Sequence, residues 1–192
     1  MHFAIDYPWL RRNVMAPLLA CLVLFLAGSG SACKSKRKAQ PDQAVAVSHV
    51  GVGAVPAQLE MRDPAAASQL LKGFYKSEGS WRWTAGQFSV LLGIPKGAAT
   101  SGGVLKLHFT IPQVVLDKLH QQTLSASIHG KPLGPETYTT QGAQTYSRPI
   151  PAELLTGQGV EVDFTVDPVL PPSGADMREL AVIASSISLE AK

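Results

Sequence analysis

Aromatic and charged side chains are concentrated in one short segment of this sequence, where together they could bind a sugar. Trp81 and Trp83 flank Arg82, and Tyr75 and Glu78 precede them by a few residues. Aromatic faces stack against the C–H faces of pyranose rings, while arginine and glutamate supply hydrogen bonds. The alternative is structural, because aromatic side chains have large burial energies and both tryptophans could pack into the core.

A second charged pair, Asp176 and Arg178, lies just before the last apolar segment of the chain. Such residues can form a bidentate ion pair, which would hold the long connection over 167–174 in place. If Arg82 is structural, we expect it to pair with Glu78 or with Asp176. The candidate ligand-binding residues are therefore Tyr75, Glu78, Trp81, Arg82, Trp83, Asp176 and Arg178.

No motif in the sequence indicates a catalytic or metal-binding centre. The patterns G-x-S-x-G and H-E-x-x-H and the phosphate-binding glycine loop are all missing. The histidines lack the spacing of metal ligands, and the aspartates fit no known calcium loop. We therefore expect no enzyme, no cofactor and no metal; a hydrolase using Glu78 and Asp176 as a carboxylate pair is the weakest hypothesis.

Alternating apolar residues predict that β-strands carry these side chains. Residues 104–111 alternate and residues 160–166 follow a strict period of two, which is typical of half-buried strands. Further strand candidates cover 88–94, 124–128, 138–140, 145–148 and 180–189. Glycine and proline turns separate them and no βαβ alternation occurs, so the predicted fold is all-β, an antiparallel, jelly-roll-like β-sandwich.

A short helix and a flexible stem are predicted ahead of the strands. Asp63 can cap the helix, Pro64 suits its first position, and Gly73 can end it. Leu70 and Leu71 would then pack against the domain. Residues 39–58 contain no aromatic residue and no clear period, which is typical of a tether.

The N-terminus has the features of an export signal. Arg11 and Arg12 precede a short apolar run over 14–27, which is followed by small residues and then Cys33. A spanning helix needs about 20 apolar residues, so a retained anchor helix is the less favoured alternative. The predicted organisation is a lipoprotein-type signal peptide over 1–32, a lipidated cysteine, basic run and stem over 33–62, and a short helix with a β-sandwich over 63–192.

The sequence Gly-Ser-Ala-Cys over 30–33 resembles the lipobox at which bacterial lipoproteins are acylated on cysteine. Gly30 departs from the aliphatic residue usual at its position. Ordinary cleavage after Ala32 is the alternative, but it would leave an exposed free thiol in an oxidising compartment. We therefore expect lipidation of Cys33 and a membrane-anchored, exported protein.

Charge is divided unequally along the chain. It contains 17 basic and 14 acidic residues, but Arg11, Arg12 and the basic run over 34–38 lie ahead of the domain. From residue 39 onward acidic residues outnumber basic ones. Nucleic acid is therefore excluded as a partner, since phosphate binding needs a basic face. The basic run could lie against an anionic membrane surface or be an ordinary solvated run of charge.

The segments 73–75, 81–84 and 174–180, with Pro-Ile-Pro over 149–151, resemble jelly-roll modules of the galactose-binding-like or carbohydrate-binding sort. The resemblance covers about residues 71–190 and implies a fold more than an activity. The first functional hypothesis is a non-catalytic, lipid-anchored envelope protein that binds glycan or polysaccharide. The alternative is a structural or assembly lipoprotein that binds another envelope protein.

Overall fold

The computed structural model describes residues 54–192, where antiparallel strands predominate and the predicted all-β class is confirmed. The predicted signal peptide, Cys33 and most of the stem lie outside the described residues. The strands of the described part are β1 (Gln58–Glu60), β2 (Leu70–Phe74), β3 (Arg82–Gly93), β4 (Gly103–Ile111), β5 (Gln122–Ile128), β6 (Lys131–Pro132), β7 (Glu136–Tyr138), β8 (Gly142–Ile150), β9 (Gly159–Asp167) and β10 (Ile183–Ala191).

Short helices connect some of these strands. They are α1 (Ala98–Ser101), α2 (Gln113–Leu119) and the 3₁₀ helices Pro64–Gln69 and Ala152–Leu154. Within residues 54–192, no helix has the length and apolar character needed to span a bilayer.

The 12-residue strand β3 joins the two layers of the sandwich. Its residues 87–93 pair with β9, while Arg82 and Trp83 pair with β10. The strand order is β6-β5-β9-β3-β10-β4-β8, with β1 beside β10, β2 beside β3 and β7 beside β5. The sheet therefore curls at β3, and its two halves cover a common core.

The core is built from the alternating residues that the sequence indicated. In β4 the buried side chains are those of Leu105, Leu107, Phe109 and Ile111, as predicted from the period of two. Phe88 of β3 stacks on Phe164 of β9 with ring centroids 4.8 Å apart, and Phe74 meets Phe88 edge-on at 5.2 Å. Burial of each large apolar side chain contributes about 1.5–3 kcal/mol.

The folded domain begins earlier than residue 63. Strand β1 lies in the range expected for the stem, and its Leu59 pairs with Ile187 of β10. Leu59 and Met61 are both fully buried. A three-residue strand is too short to show a period, so its apolar residues could not be distinguished from those of a tether.

The helix predicted from Asp63 begins where expected and ends early. Asp63 Oδ1 accepts a hydrogen bond from Ala65 N at 2.8 Å, but the helix is 3₁₀ and stops at Gln69. Residues 70–74 form β2 instead, and Leu71 is exposed rather than packed against the domain. Gly73 lies inside that strand with φ +74°, and a Cβ there would lie 2.0 Å from Gln87 O. Glycine is needed at this position because the backbone of β3 approaches closely. It does not end a helix.

The last strand starts at Ile183 and not at Leu180. Leu180 exchanges hydrogen bonds with Leu170, and Ala181 N donates to Thr84 O at 2.9 Å. A register shift between Ala184 and Ser186 then turns both Ala184 and Ile187 toward the core, whereas Ile183 is only half-buried. Such a bulge breaks the period of two along this strand.

Candidate functional site

The aromatic segment forms the loop of a hairpin between β2 and β3. Tyr75 N donates to Trp83 O at 3.0 Å, and Glu78 N donates to Trp81 O at the same distance. The Ser77 hydroxyl donates to Gly79 O, and Gly79 has φ +89°. These bonds place Glu78 and Trp81 on opposite sides of one tight, ordered turn.

The two tryptophans occupy different environments. Trp83 is partly buried and packs against the core cluster, as the structural interpretation of the segment expected. Trp81 is also partly buried but is not among the side chains that pack against that core. Of these two tryptophans, only Trp83 packs against the core cluster.

Asp176 and Arg178 form a bidentate ion pair in the connection between β9 and β10. Arg178 Nε lies 2.9 Å from Asp176 Oδ1, and Arg178 Nη2 lies 2.8 Å from Asp176 Oδ2. The Arg178 backbone N–H donates to the same carboxylate at 3.0 Å. The hydrogen bonds from Arg178 lower the pKa of Asp176 to about 2, because they stabilise its ionised form.

Arg178 also joins this connection to the hairpin. Its Nη1 donates to Glu78 Oε1 at 3.1 Å, and its guanidinium lies over the ring of Tyr75 at 5.3 Å from the centroid. The Tyr75 hydroxyl donates to the backbone carbonyl of Glu179 at 2.8 Å. We call Tyr75, Glu78, Asp176 and Arg178 the rim cluster. The structure brings these four predicted residues together.

Arg82 does not belong to the rim cluster. The expected pairing with Glu78 or Asp176 is wrong, because both carboxylates bind Arg178 instead. Arg82 Nη1 donates to Tyr75 O at 3.2 Å, and its Nε is buried without an acceptor in the described part of the chain. Its side chain lines a separate groove beside β2.

An open depression of about 520 Å³ lies next to the rim cluster and was not predicted. Glu179 connects the two, since its backbone carbonyl binds Tyr75 while its Oε1 accepts from Gly86 N at 2.8 Å. The lining residues come from two neighbouring strands and the connection that follows: Ala85, Gly86, Gln87, Thr165, Val166, Asp167, Val169 and Glu179. No sequence motif unites them, because strand pairing alone places Gln87 opposite Thr165.

Among residues 54–192, no three His, Cys, Asp or Glu side chains are grouped as they would be around a metal ion. The acidic groups of the rim cluster are held by arginine, so the arrangement offers hydrogen bonds and aromatic surface. This is chemistry for binding a polar ligand.

No protein-family model matches the sequence, and no curated protein matches it. The chain is an all-β protein. Solved structures similar to it include the family GH115 4-O-methyl-alpha-glucuronidase BtGH115A, with specificity for decorated arabinogalactans (12% identity, TM-score 0.41). Another is CBM51-2 in complex with GlcNAc and INT domains from Clostridium perfringens ZmpB (11%, 0.36). A third is the secreted serine protease VesC from Vibrio cholerae (18%, 0.35).

These similarities cover 70–72% of this chain but only 18–28% of the other chains. The chain thus spans less than a third of the length of each similar structure. With TM-scores below 0.5, the matches assign neither a family nor an activity.

Proposed function

We propose that the folded domain is a non-catalytic glycan-binding module of the jelly-roll type, and that Trp81 is its sugar-stacking residue. The observation that carries the proposal is the separation of the two tryptophans: Trp83 packs against the core, whereas Trp81 lies at an ordered turn opposite Glu78. A half-buried indole and, across the turn, the carboxylate of Glu78 that Arg178 holds offer the apolar face and the polar contacts that a pyranose requires.

The rim cluster supports this function by holding the turn rigid. Arg178 fixes Glu78 through one of its two carboxylate oxygens. A carboxylate accepts up to about four hydrogen bonds, so Glu78 keeps acceptor capacity for sugar hydroxyls. Because the loop is ordered before a ligand arrives, less conformational entropy is lost on binding.

A glycan array with the purified protein tests the proposal. We expect binding to at least one class of glycan, and we expect Trp81→Ala to weaken it roughly ten-fold, which corresponds to about 1.4 kcal/mol. Trp81→Phe keeps an aromatic face and should retain most of the affinity. Trp83→Phe is the matched control, since it changes a tryptophan that packs on the core.

If the folded protein bound no glycan on the array, the proposal of glycan binding would be contradicted. Recovery of one stoichiometric envelope protein after mild crosslinking, with no glycan bound, would instead favour the assembly function. A Trp81→Ala variant that binds glycan as tightly as Trp83→Phe would show that Trp81 has no part in binding.

We also propose that the protein is exported and anchored to a membrane of the bacterial envelope by an acylated Cys33. The support is the sequence over 30–33 and the basic run that follows it. Mass spectrometry of the mature N-terminus should find Cys33 as the first residue, carrying acyl chains. Cys33→Ser should release the protein from membranes, and a mature chain that retains Met1 would contradict the proposal.

A further inference from the structure

The open depression of about 520 Å³ next to the rim cluster is rich in groups that form hydrogen bonds. Four of its eight lining residues carry a polar side chain: Gln87, Thr165, Asp167 and Glu179. All four residues are exposed, so a ligand in the depression can reach them. The volume of the depression lies in the range that is usual for small-molecule binding sites.

Strand pairing fixes the positions of three of these side chains. Gln87 of β3 lies directly opposite Thr165 of β9, and Asp167 is two residues further along β9. Because alternate residues of a strand point to the same face, Thr165 and Asp167 share the outer face of the sheet. Gln87 lies beside Thr165 on that face. The polar groups are therefore presented by paired strands, which hold them in place before a ligand arrives.

Gly86 makes room for the fourth side chain. Glu179 Oε1 accepts a hydrogen bond from Gly86 N at 2.8 Å, and a Cβ at Gly86 would lie only 2.9 Å from that oxygen. Glycine thus allows the carboxylate to lie against the backbone of β3. A carboxylate has about four acceptor positions, so Glu179 can accept further hydrogen bonds from a ligand.

The depression lies close to Trp81 along the surface of the domain. Glu179 directly follows Arg178, which binds Glu78 across the turn from Trp81. Gly86, in the depression, is five residues from Trp81, or about 17 Å along an extended chain. A single pyranose ring is too short to contact both places, whereas a short chain of sugar units can do so.

The charge of the depression selects among sugars. No lysine, arginine or histidine lines it, and Asp167 and Glu179 both carry carboxylates. The ion pairs within residues 54–192 involve other acidic residues. A carboxylate or sulfate group on a ligand would be repelled here, because like charges placed together weaken binding. Sugar hydroxyls can donate to these carboxylates and to the amide oxygen of Gln87.

We propose that the depression is a second subsite, which binds a further, uncharged unit of the sugar chain that stacks on Trp81. The inference rests on the proposed glycan-binding function and adds the ligand class to it, a neutral oligosaccharide. Gln87, Asp167 and Glu179 supply the hydrogen bonds to this unit. Asp167 and Glu179 also exclude acidic units.

A glycan array tests the subsite with the purified, unmodified protein. The array carries single neutral hexoses and their disaccharides and tetrasaccharides, with a counterpart of each in which one unit is a uronate. We expect a neutral tetrasaccharide to bind at least ten-fold more tightly than its single hexose, and we expect the uronate counterparts to bind more weakly than the neutral chains. Equal affinity for the single hexose and the tetrasaccharide overturns the inference.

Two variants of exposed residues test the side chains in the depression. Gln87→Ala should reduce tetrasaccharide affinity toward that of the single hexose. Asp167→Lys should remove the discrimination against uronate chains. Glu161→Lys is the matched control, since it makes the same change of charge on the same face of β9, about 20 Å along the strand from Asp167. Equal changes in Asp167→Lys and Glu161→Lys would assign the discrimination to net charge and overturn the inference.

The failure of the subsite can be distinguished from the failure of the proposed function. Binding that depends on Trp81 but is unchanged in Gln87→Ala and Asp167→Lys would overturn the second subsite and leave the proposed function standing. A preference for chains of amino sugars, lost in Asp167→Lys, would show that the depression binds a cationic unit and overturn the neutral assignment. Absence of binding to every glycan would overturn both proposals.

Discussion

Arg178 Nη1 lies 3.1 Å from Glu78 Oε1, and this contact joins two residues that are 100 positions apart in the chain. The same guanidinium binds Asp176 in its own loop and covers the ring of Tyr75 in the other. One arginine therefore holds the β2–β3 hairpin against the β9–β10 connection. This contact gives the proposed sugar site a fixed shape.

The titration of Asp176 should report this arrangement. Nuclear magnetic resonance of its carboxyl carbon should give a pKa of about 2 in the unmodified protein. Arg178→Gln should return the pKa of Asp176 toward its ordinary range, because the hydrogen bonds that stabilise the ionised carboxylate are lost. A carboxyl whose folded pKa is depressed adds stability above its unfolded pKa. That stability is lost as the pH falls through the folded pKa.

The stability difference between the unmodified protein and Arg178→Gln should therefore be constant above about pH 4 and shrink as the pH falls toward 2. Urea unfolding at a series of pH values measures it. Arg62→Gln, which changes an exposed arginine elsewhere, is the control and should show no such dependence. A difference that grows on acidification would contradict the assigned ion pair.

Met61→Ala should test whether the domain includes the segment before residue 63. Met61 is fully buried, and its N–H donates to Ser185 O at 2.9 Å. We expect the free energy of unfolding to fall by about 2–5 kcal/mol, as for other buried methionines cut to alanine. Arg62→Ala, at the exposed neighbouring position, should change it by less than about 0.5 kcal/mol. Equal changes in unfolding free energy for Met61→Ala and Arg62→Ala would place this segment outside the cooperatively folded domain.

Gly73→Ala and Gly130→Ala form a matched pair, because both glycines have nearly the same positive φ (+74° and +73°). A Cβ at Gly130 meets nothing within 4 Å, so alanine there should cost only the backbone strain, about 1–2 kcal/mol. At Gly73 the Cβ would lie 2.0 Å from Gln87 O, and β2 must separate from β3. In thermal unfolding, Gly73→Ala should lose clearly more stability than Gly130→Ala. Similar losses of stability would contradict the close approach of β2 to β3.

Arg148→Lys should destabilise the sandwich locally at β8, an edge strand of the sheet. Arg148 Nη1 lies 2.7 Å from Glu136 Oε2, and its Nη2 donates to Pro135 O at the same distance. Lysine cannot make both contacts, so amide hydrogen exchange over 131–138 should accelerate. Lys106→Ala removes a single exposed contact to Glu190 and should leave that segment unchanged. Unchanged exchange in Arg148→Lys would show that packing alone holds the edge.

The period of two predicted β4 and β9 with nearly correct ends, because each strand has one face against the core and one in water. The same reasoning missed β1, whose three residues show no period, and it misplaced the start of β10, where a bulge breaks the alternation. Periodicity reveals a strand only when the strand is long and regular enough to repeat.

Features that depend on nearby residues could be predicted from the sequence. Alternation specifies an all-β chain, Asp63 and Pro64 specify the start of a turn, and the spacing of Asp176 and Arg178 allows their ion pair. The fold itself was needed to show that Glu78 shares Arg178, that Trp83 rather than Trp81 packs on the core, and that Arg82 lines another groove. These features depend on how the curled sheet brings distant loops together, and no local pattern encodes a contact between residues 100 positions apart.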